Sequence, residues 1–261
     1  MIKMIVSDLD GTLLTEHREI LSKDKESILN AKKNGIDISI ASGRMDVEIN
    51  EVFNIMGVKG HRISQNGAFV YSKDGQRIYG NPFSTENVIN IYGFLTTHVK
   101  ERVTLYSENT GFVSNSSQLR SEDEHRLFFP IKVEPDLLKM VENGLEVSKI
   151  SVYSQNTDSL KEIQKQVEEA FSNVADSFIS DPSCLDIMPK NINKGKGIEA
   201  IMNALNIAPE EMICIGDSFN DISMFNLTPH SYVMSQSEDT VKQYAAHEIN
   251  YVHEALEDIL K

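Results

Sequence analysis

Residues 1–14 read MIKMIVSDLDGTLL, and this stretch decides the fold. Ile2 to Val6 is a short apolar run without polar alternation, the pattern of a strand covered on both faces. It stops at Asp8, Asp10 and Gly11, so two acids and a turn residue stand where a strand ends. Residues i and i+2 of an extended chain project to the same side, so Asp8 and Asp10 share one side. The same grammar repeats outward from there. Ser22 can cap a helix carrying Ile28, Leu29 and Ala31, stopped by Gly35. Ile36, Ile38, Ile40 and Ala41 form a strand ended by Ser42-Gly43. Val47, Ile49, Val52, Phe53 and Met56 suit a helix closed by Gly57, and His61 to Gln65 reads as a third strand ending at Asn66-Gly67. A β-α-β-α-β run with glycine-bearing turns after its strands predicts an α/β fold, a parallel sheet wrapped by helices.

The pattern then breaks and resumes. Phe69 to Tyr71 and Arg77 to Tyr79 flank Asp74-Gly75, a hairpin signal. Residues 82–188 mix helical stretches (Val88 to Phe94; Leu160, Ile163, Val167, Phe171) with strands such as Ile150 to Tyr153 and Phe178-Ile179, and predict an inserted α+β domain. From Lys194 the parallel pattern returns. Ile198, Ile201, Met202 and Leu205 mark a helix face, Met212 to Ile215 a buried strand ending in Gly216-Asp217, and Ile222, Met224 and Phe225 a short helix. Ser231 to Met234 and a helix from about Glu238 complete the layer. The expected core is residues 1–81 and 189–261.

Composition narrows the function classes. The 261 residues carry 39 Asp and Glu against 25 Lys and Arg, a net charge of −14, with 40% hydrophobic and 25% charged residues. This fits a folded soluble chain and argues against disorder. No basic stripe of the kind that displaces counterions from nucleic acid occurs, and no run approaches the roughly 20 apolar residues of a membrane span. The amino-terminal run meets acid at Asp8 and lacks a signal peptide's long apolar core. Cys184 and Cys214 sit in apolar runs and read as free thiols, which suits a cytoplasmic setting. The seven histidines show no zinc-ligand spacing, and Asn193-Lys194-Gly195-Lys196-Gly197 does not satisfy the nucleotide phosphate-loop pattern.

Four polar clusters stand at strand ends: Asp8 through Thr12, Ser42-Gly43-Arg44, Lys194-Gly195, and Gly216-Asp217 through Asn220-Asp221. In an open parallel sheet, ligands bind beyond the carboxyl ends of the strands. Two acidic clusters at one sheet edge repel each other unless a cation neutralises them, and an oxygen-rich set of this kind suits Mg²⁺. Of the two acids on one side, one ionised carboxylate can attack phosphorus while the other carries a proton to the leaving oxygen. Ser42 with the following backbone N–H groups, and the Lys194 ammonium at a helix start, can hold phosphate oxygens.

Asp8-Leu9-Asp10-Gly11-Thr12 resembles the DxDGT motif of the haloacid-dehalogenase-like (HAD) superfamily. Ala41-Ser42-Gly43-Arg44, Lys194-Gly195 and Gly216 through Met224 are similar to its second, third and fourth motifs. GDxxNDxxM and Asn66-Gly67-Ala68 after the third strand resemble the Cof-type phosphatase branch, which carries a large cap between the second and third motifs. The resemblance implies a Rossmann-like core and an α+β cap over residues 82–188 that closes over the site and selects the substrate. It implies Asp8 as nucleophile, forming an aspartyl-phosphate, and Asp10 as general acid and base. It implies Mg²⁺ at Asp8, the Asp10 backbone carbonyl and Asp217, with Asp221 beside them. Ser42, Gly43, Lys194 and Asn220 would bind phosphate, and Arg44 and Asn66 would stand on the substrate side. Ser42 occupies a place where threonine is common, and either hydroxyl can donate. The implied partner is a small phosphate monoester, a sugar phosphate first, with neither nucleic acid nor membrane, and the chain acting as a monomer or weak homo-oligomer. A cofactor phosphatase acting on pyridoxal phosphate or flavin mononucleotide, and a phosphomutase, remain as alternatives. Arg102, Tyr106, Arg120, His125 and Arg126 lie in the insert, where surface duty is the plainer expectation and substrate reading the other. The acidic run 122–124 reads as a solvated loop and Phe128-Phe129-Pro130 as core.

Overall fold

The computed structural model describes residues 1–15, 17–118 and 130–259. Arg120, His125, Arg126, the acidic run 122–124 and Phe128-Phe129 lie outside the described residues. In chain order the elements are β1 (Met4–Ser7), α1 (Ser22–Lys33), β2 (Asp37–Ala41), α2 (Asp46–Met56), β3 (His61–Ser64), β4 (Phe69–Tyr71), β5 (Arg77–Gly80), α3 (Thr85–His98), β6 (Arg102–Tyr106), β7 (Gly111–Val113) and β8 (Ile131–Val133). There follow α4 (Leu137–Glu142), β9 (Lys149–Tyr153), α5 (Thr157–Phe171), β10 (Ala175–Asp181), β11 (Cys184–Pro189), α6 (Lys194–Leu205), β12 (Met212–Gly216), α7 (Ile222–Phe225), β13 (Ser231–Met234), α8 (Asp239–Lys242), β14 (His247–Ile249) and α9 (Val252–Ile259). Two compact units result: Met1–Gly80 with Asn193–Lys261, and Asn81–Ile192.

The first unit is built on one eight-stranded sheet in the order β14-β13-β12-β1-β2-β3-β4-β5. β1 lies between β12 and β2 and pairs with both in parallel, Val6 opposite Cys214 on one side and Ser39 on the other. All four residues of β1 are buried. Their period-2 alternation sends Ile5 into a layer with Ile28 of α1, Phe53 of α2 and Leu256 of α9. Met4 and Val6 go into the opposite layer with Ile198 and Ile201 of α6 and Phe225 of α7. A strand that feeds two cores has no polar face, and each such side chain gains about 1.5–3 kcal/mol by leaving water. The hairpin β4–β5 extends this sheet, antiparallel at both β3–β4 and β4–β5.

The carboxy-terminal part departs from expectation. The helix from about Glu238 is only the four-residue α8, after which β14 adds a parallel edge strand and α9 packs back on α1. α9 is fixed there by a buried pair: the His253 backbone N–H donates to Asp24 Oδ1 at 2.8 Å, and His253 Nδ1 lies 2.6 Å from the same oxygen.

The second unit has a six-stranded sheet in the order β10-β11-β9-β6-β7-β8. Val103, Leu105, Ile150, Val152, Leu185 and Ile187 pack with Ile91 and Leu95 of α3 and Leu160 and Ile163 of α5. The alternate positions are polar. Asp186 accepts from Ser151 Oγ and, at 3.3 Å, from Lys149 Nζ, and Lys149 lies 4.9 Å over the Tyr106 ring. Burial pushes the Tyr106 phenol up to about 12. Arg102 and Tyr106, expected at the surface, are buried strand residues. The unit runs to Ile192 because residues past β11 still bond within it: Lys190 N–H donates to Val174 O at 3.1 Å and Asn191 N–H to Asp176 Oδ2 at 2.8 Å.

Candidate active site

Parallel pairing puts the ends of β1, β2, β3, β12 and β13 at one edge of the first unit's sheet. Asp8 leaves β1 there, its N–H still donating to Ile215 O of β12 at 2.8 Å. Gly11 then turns back at φ +84°, and a Cβ at that position would stand 2.5 Å from Asp217 Oδ2. Only glycine admits both the conformation and the approach. Thr12 Oγ1 donates to Asp217 Oδ1 at 2.9 Å, which joins the first cluster to the fourth.

Lys194 opens α6, whose N-cap is Asn193, its side chain accepting from Lys196 N–H at 3.0 Å. The next residue must be glycine, since a Cβ on Gly195 would stand 2.5 Å from the Ser223 carbonyl oxygen. The Lys194 side chain is 1% exposed and ends between two carboxylates, donating to Asp8 Oδ1 at 2.5 Å and Asp221 Oδ1 at 2.6 Å. Asp221 Oδ2 accepts two backbone bonds, from Asp217 N–H at 2.8 Å and Ser218 N–H at 2.9 Å. Asp221 thus folds its own loop and anchors the lysine.

One oxygen each from Asp8, Asp217 and Asp221 lies within 4.8 Å of the others. Burial pushes Asp8 well above the usual carboxylate range, opposed by the Lys194 ammonium and reinforced by Asp221 and Asp217. Asp217 is raised by burial and by Asp221, against the Thr12 hydrogen bond. Burial disfavours the Lys194 ammonium, but Asp8 and Asp221 more than offset this and hold it charged. Three carboxylates against one ammonium leave two uncompensated negative charges, the charge of one divalent cation. The donors are all hard carboxylate oxygens, the set that suits Mg²⁺. These residues fit such an ion.

The second cluster lies at the end of β2. Ser42 is 2% exposed; its N–H donates to Ile63 O at 2.9 Å and its Oγ accepts from Arg44 N–H at 3.2 Å. At Gly43 a Cβ would lie 3.4 Å from the Asn66 amide. Asn66, at φ +54°, donates its N–H to Ser42 O at 2.9 Å, and its Oδ1 accepts from Asn220 Nδ2 at 3.2 Å. Asn66 and Asn220 thus tie the β3 turn to the β12 turn. Arg44, assigned by resemblance to the substrate side, grips the Asp10 carboxylate and stands 3.6 Å from Glu48. Its guanidinium is raised further by that Asp10 bond, against burial.

Sequence reasoning missed Glu48 and Gln236. Glu48 bears on Arg44 and accepts from Met45 N–H at 3.0 Å. Gln236, two residues beyond β13, donates to the Gly11 carbonyl at 2.8 Å. Only its place just past a strand end could have pointed to it.

Over residues 5–256 the chain matches the haloacid dehalogenase-like hydrolase family. It is 24% identical over 244 residues to the HMP-PP phosphatase of Yersinia pseudotuberculosis, covering 93% of this chain and 87% of that one. TM0651 from Thermotoga maritima superposes with a TM-score of 0.88 at 26% identity, covering 99% of this chain and 97% of the other. The sugar phosphatase BT4131 shares the fold with a TM-score of 0.77 at 23% identity and 98% of each chain. With the motif residues of all four clusters in order and the family match spanning both units, the chain belongs to the haloacid dehalogenase-like hydrolases, in their Cof-type branch.

Proposed function

We propose that this hydrolase is a Mg²⁺-dependent phosphatase of small phosphate monoesters that works through an aspartyl-phosphate on Asp8. The observation that carries the reading is the Lys194 ammonium on Asp8 Oδ1 at 2.5 Å, which fixes the nucleophile's rotamer. Asp8 Oδ2 attacks phosphorus and the ester P–O bond breaks. Asp10 gives its proton to the departing alkoxide, then takes one from the water that hydrolyses the acyl phosphate, and Asp8 is regenerated. The Lys194 ammonium, the Ser42 hydroxyl and the backbone N–H groups after it hold the phosphoryl oxygens, and Asn220 assists. Asp8, Asp217 and the Asp10 carbonyl, with Asp221 behind them, would hold Mg²⁺, which would supply charge neutralisation for the transferring group.

The second unit is proposed to select the organic part of the substrate. Sugar phosphates come first, as the resemblance to the Cof-type branch implies and as likeness to the sugar phosphatase BT4131 supports. A cofactor phosphatase acting on pyridoxal phosphate or flavin mononucleotide is the second reading, and likeness to an HMP-PP phosphatase adds that compound to the substrates to be tried. Phosphate release across sugar, nucleotide and cofactor monophosphates, with Mg²⁺ and with chelator, is the test. Release confined to the Mg²⁺ arm and abolished in Asp8→Asn supports the reading. Full activity of Asp8→Asn overturns it, and isomerised phosphosugar without free phosphate points to a mutase.

A further inference from the structure

The loop after β13 belongs to none of the four clusters, yet it touches the first. Gln236 Nε2 donates to the Gly11 carbonyl oxygen at 2.8 Å, across a sequence separation of 225. The loop that carries Gln236 is itself fixed. Ser235 N–H donates to Ile249 O at 2.7 Å, Ser235 Oγ to Asn250 Oδ1 at 2.8 Å, and Ser237 N–H to Met234 O at 3.0 Å. On its other side Gly11 presses on Asp217, with 2.5 Å between the place of a Cβ and Oδ2. Thr12, the next residue, donates to the second oxygen of the same carboxylate at 2.9 Å.

The Gly11 carbonyl and the Thr12 N–H are one rigid peptide unit, so fixing one fixes the other. Glycine visits either sign of φ at little cost, and Gly11 has no side chain to hold its plane. The Gln236 amide supplies the missing restraint. We infer that Gln236 is a positioning residue for the metal-binding carboxylates: it holds the Gly11–Thr12 peptide plane and, through it, the Thr12 hydroxyl on Asp217. The inference rests on the reading of Asp217 as a Mg²⁺ ligand. Partners behind a metal ligand orient it, and removing one commonly weakens metal binding by about 10–100-fold.

The test is Mg²⁺ binding by calorimetry on the full chain, together with the thermal unfolding midpoint, for wild type, Gln236→Leu and Gln236→His. The Leu variant removes the donor at similar size, and the His variant keeps a neutral donor of similar reach. Gln236→Leu is expected to weaken Mg²⁺ binding about tenfold, the lower end of that range. Its unfolding midpoint without metal stays at the wild-type value, since Gln236 is exposed. Gln236→His retains most of the affinity. In turnover, half-saturation by Mg²⁺ rises with the calorimetric constant while the substrate KM does not move. Equal Mg²⁺ binding by wild type and Gln236→Leu overturns this inference alone, as does a lowered midpoint with unchanged binding. Equal loss in the Leu and His variants also overturns it, because the donor would then be irrelevant. A wild-type chain that takes up no Mg²⁺ overturns the metal reading and this inference together.

Discussion

Arg44 holds Asp10 with both prongs of its guanidinium, Nε donating to Oδ2 at 2.8 Å and Nη2 to Oδ1 at 2.6 Å. The proposed general acid and base is thus oriented by a residue of the β2 turn rather than by its own loop. The planar fork is what makes the grip two-pronged, and lysine cannot reproduce it. Arg44→Lys and Arg44→Ala are therefore both expected to lower kcat by about tenfold or more, a share of the 10²–10⁴-fold that a placed acid–base group contributes. KM should change little, because Asp10 acts on the leaving oxygen. Steady-state kinetics on one good substrate reads this directly. A raised KM with unchanged kcat would return Arg44 to the substrate side.

Lys194 is the single cation in contact with Asp8 and Asp221 among the described residues. Lys194→Ala leaves two buried carboxylates facing each other, and removing one partner of a buried pair costs about 3–5 kcal/mol. Denaturant unfolding at neutral pH should show that loss. Added Mg²⁺ should recover more stability in the variant than in wild type, since it replaces the missing charge. Turnover should not recover, because the Asp8 rotamer is no longer fixed.

Gly11→Ala adds a methyl where the backbone is left-handed and the Asp217 carboxylate is 2.5 Å away. The conformational term alone is about 1–2 kcal/mol. The variant is expected to fold with a modestly lower unfolding midpoint and to lose Mg²⁺ binding, because the clash displaces a ligand. A variant that binds Mg²⁺ like wild type would show that Asp217 is not held at that site.

Far from these acids, His61 opens β3 with its ring 1% exposed, accepting from Lys73 N–H at 3.3 Å. Burial lowers its pKa below the ordinary 6.5, with Lys73 and Lys32 acting the same way and Asp37 opposing. A folded-state value below the unfolded one means the unfolded chain binds the extra proton. The His61 contribution is then complete above about pH 6.5 and is lost as pH falls through the folded value. Burial raises Asp37, but hydrogen bonds from Lys32 and Lys73 outweigh it and hold the carboxyl below 3.8. Its contribution is lost only as pH falls below that. Between about pH 7.5 and about pH 5, wild-type stability should decline and His61→Gln should decline less. Equal slopes in a denaturant series would refute the assignment.

How much of this was legible follows from distance along the chain. The acids after β1 and β12 could be read because each follows an apolar run that ends in glycine or acid. Lys194-Gly195 could be read because both residues sit at one helix start. The Asn66–Asn220 and Gln236–Gly11 bonds could not, since each joins segments more than a hundred residues apart through polar side chains that have no periodicity. β7 and β8 escaped notice because three-residue strands carry no measurable alternation. The start of α8 near Glu238 could be read, but no glycine or proline marks its stop after four residues. Arg102 and Tyr106 read as surface residues because a polar side chain carries no sign of burial, yet all five residues of β6 are buried.

β1 is made long before one of its two neighbours, β12, which pairs Met212 against Met4. During translation β1 therefore keeps a bare edge until Met212–Gly216 has left the ribosome. Such sequence-distant pairing is slow to form and leaves an exposed edge open to the wrong partners. Lys194 and Asp217 both follow the second unit in the chain, so a nascent fragment that stops short of them lacks two of the side chains proposed to hold phosphate and metal.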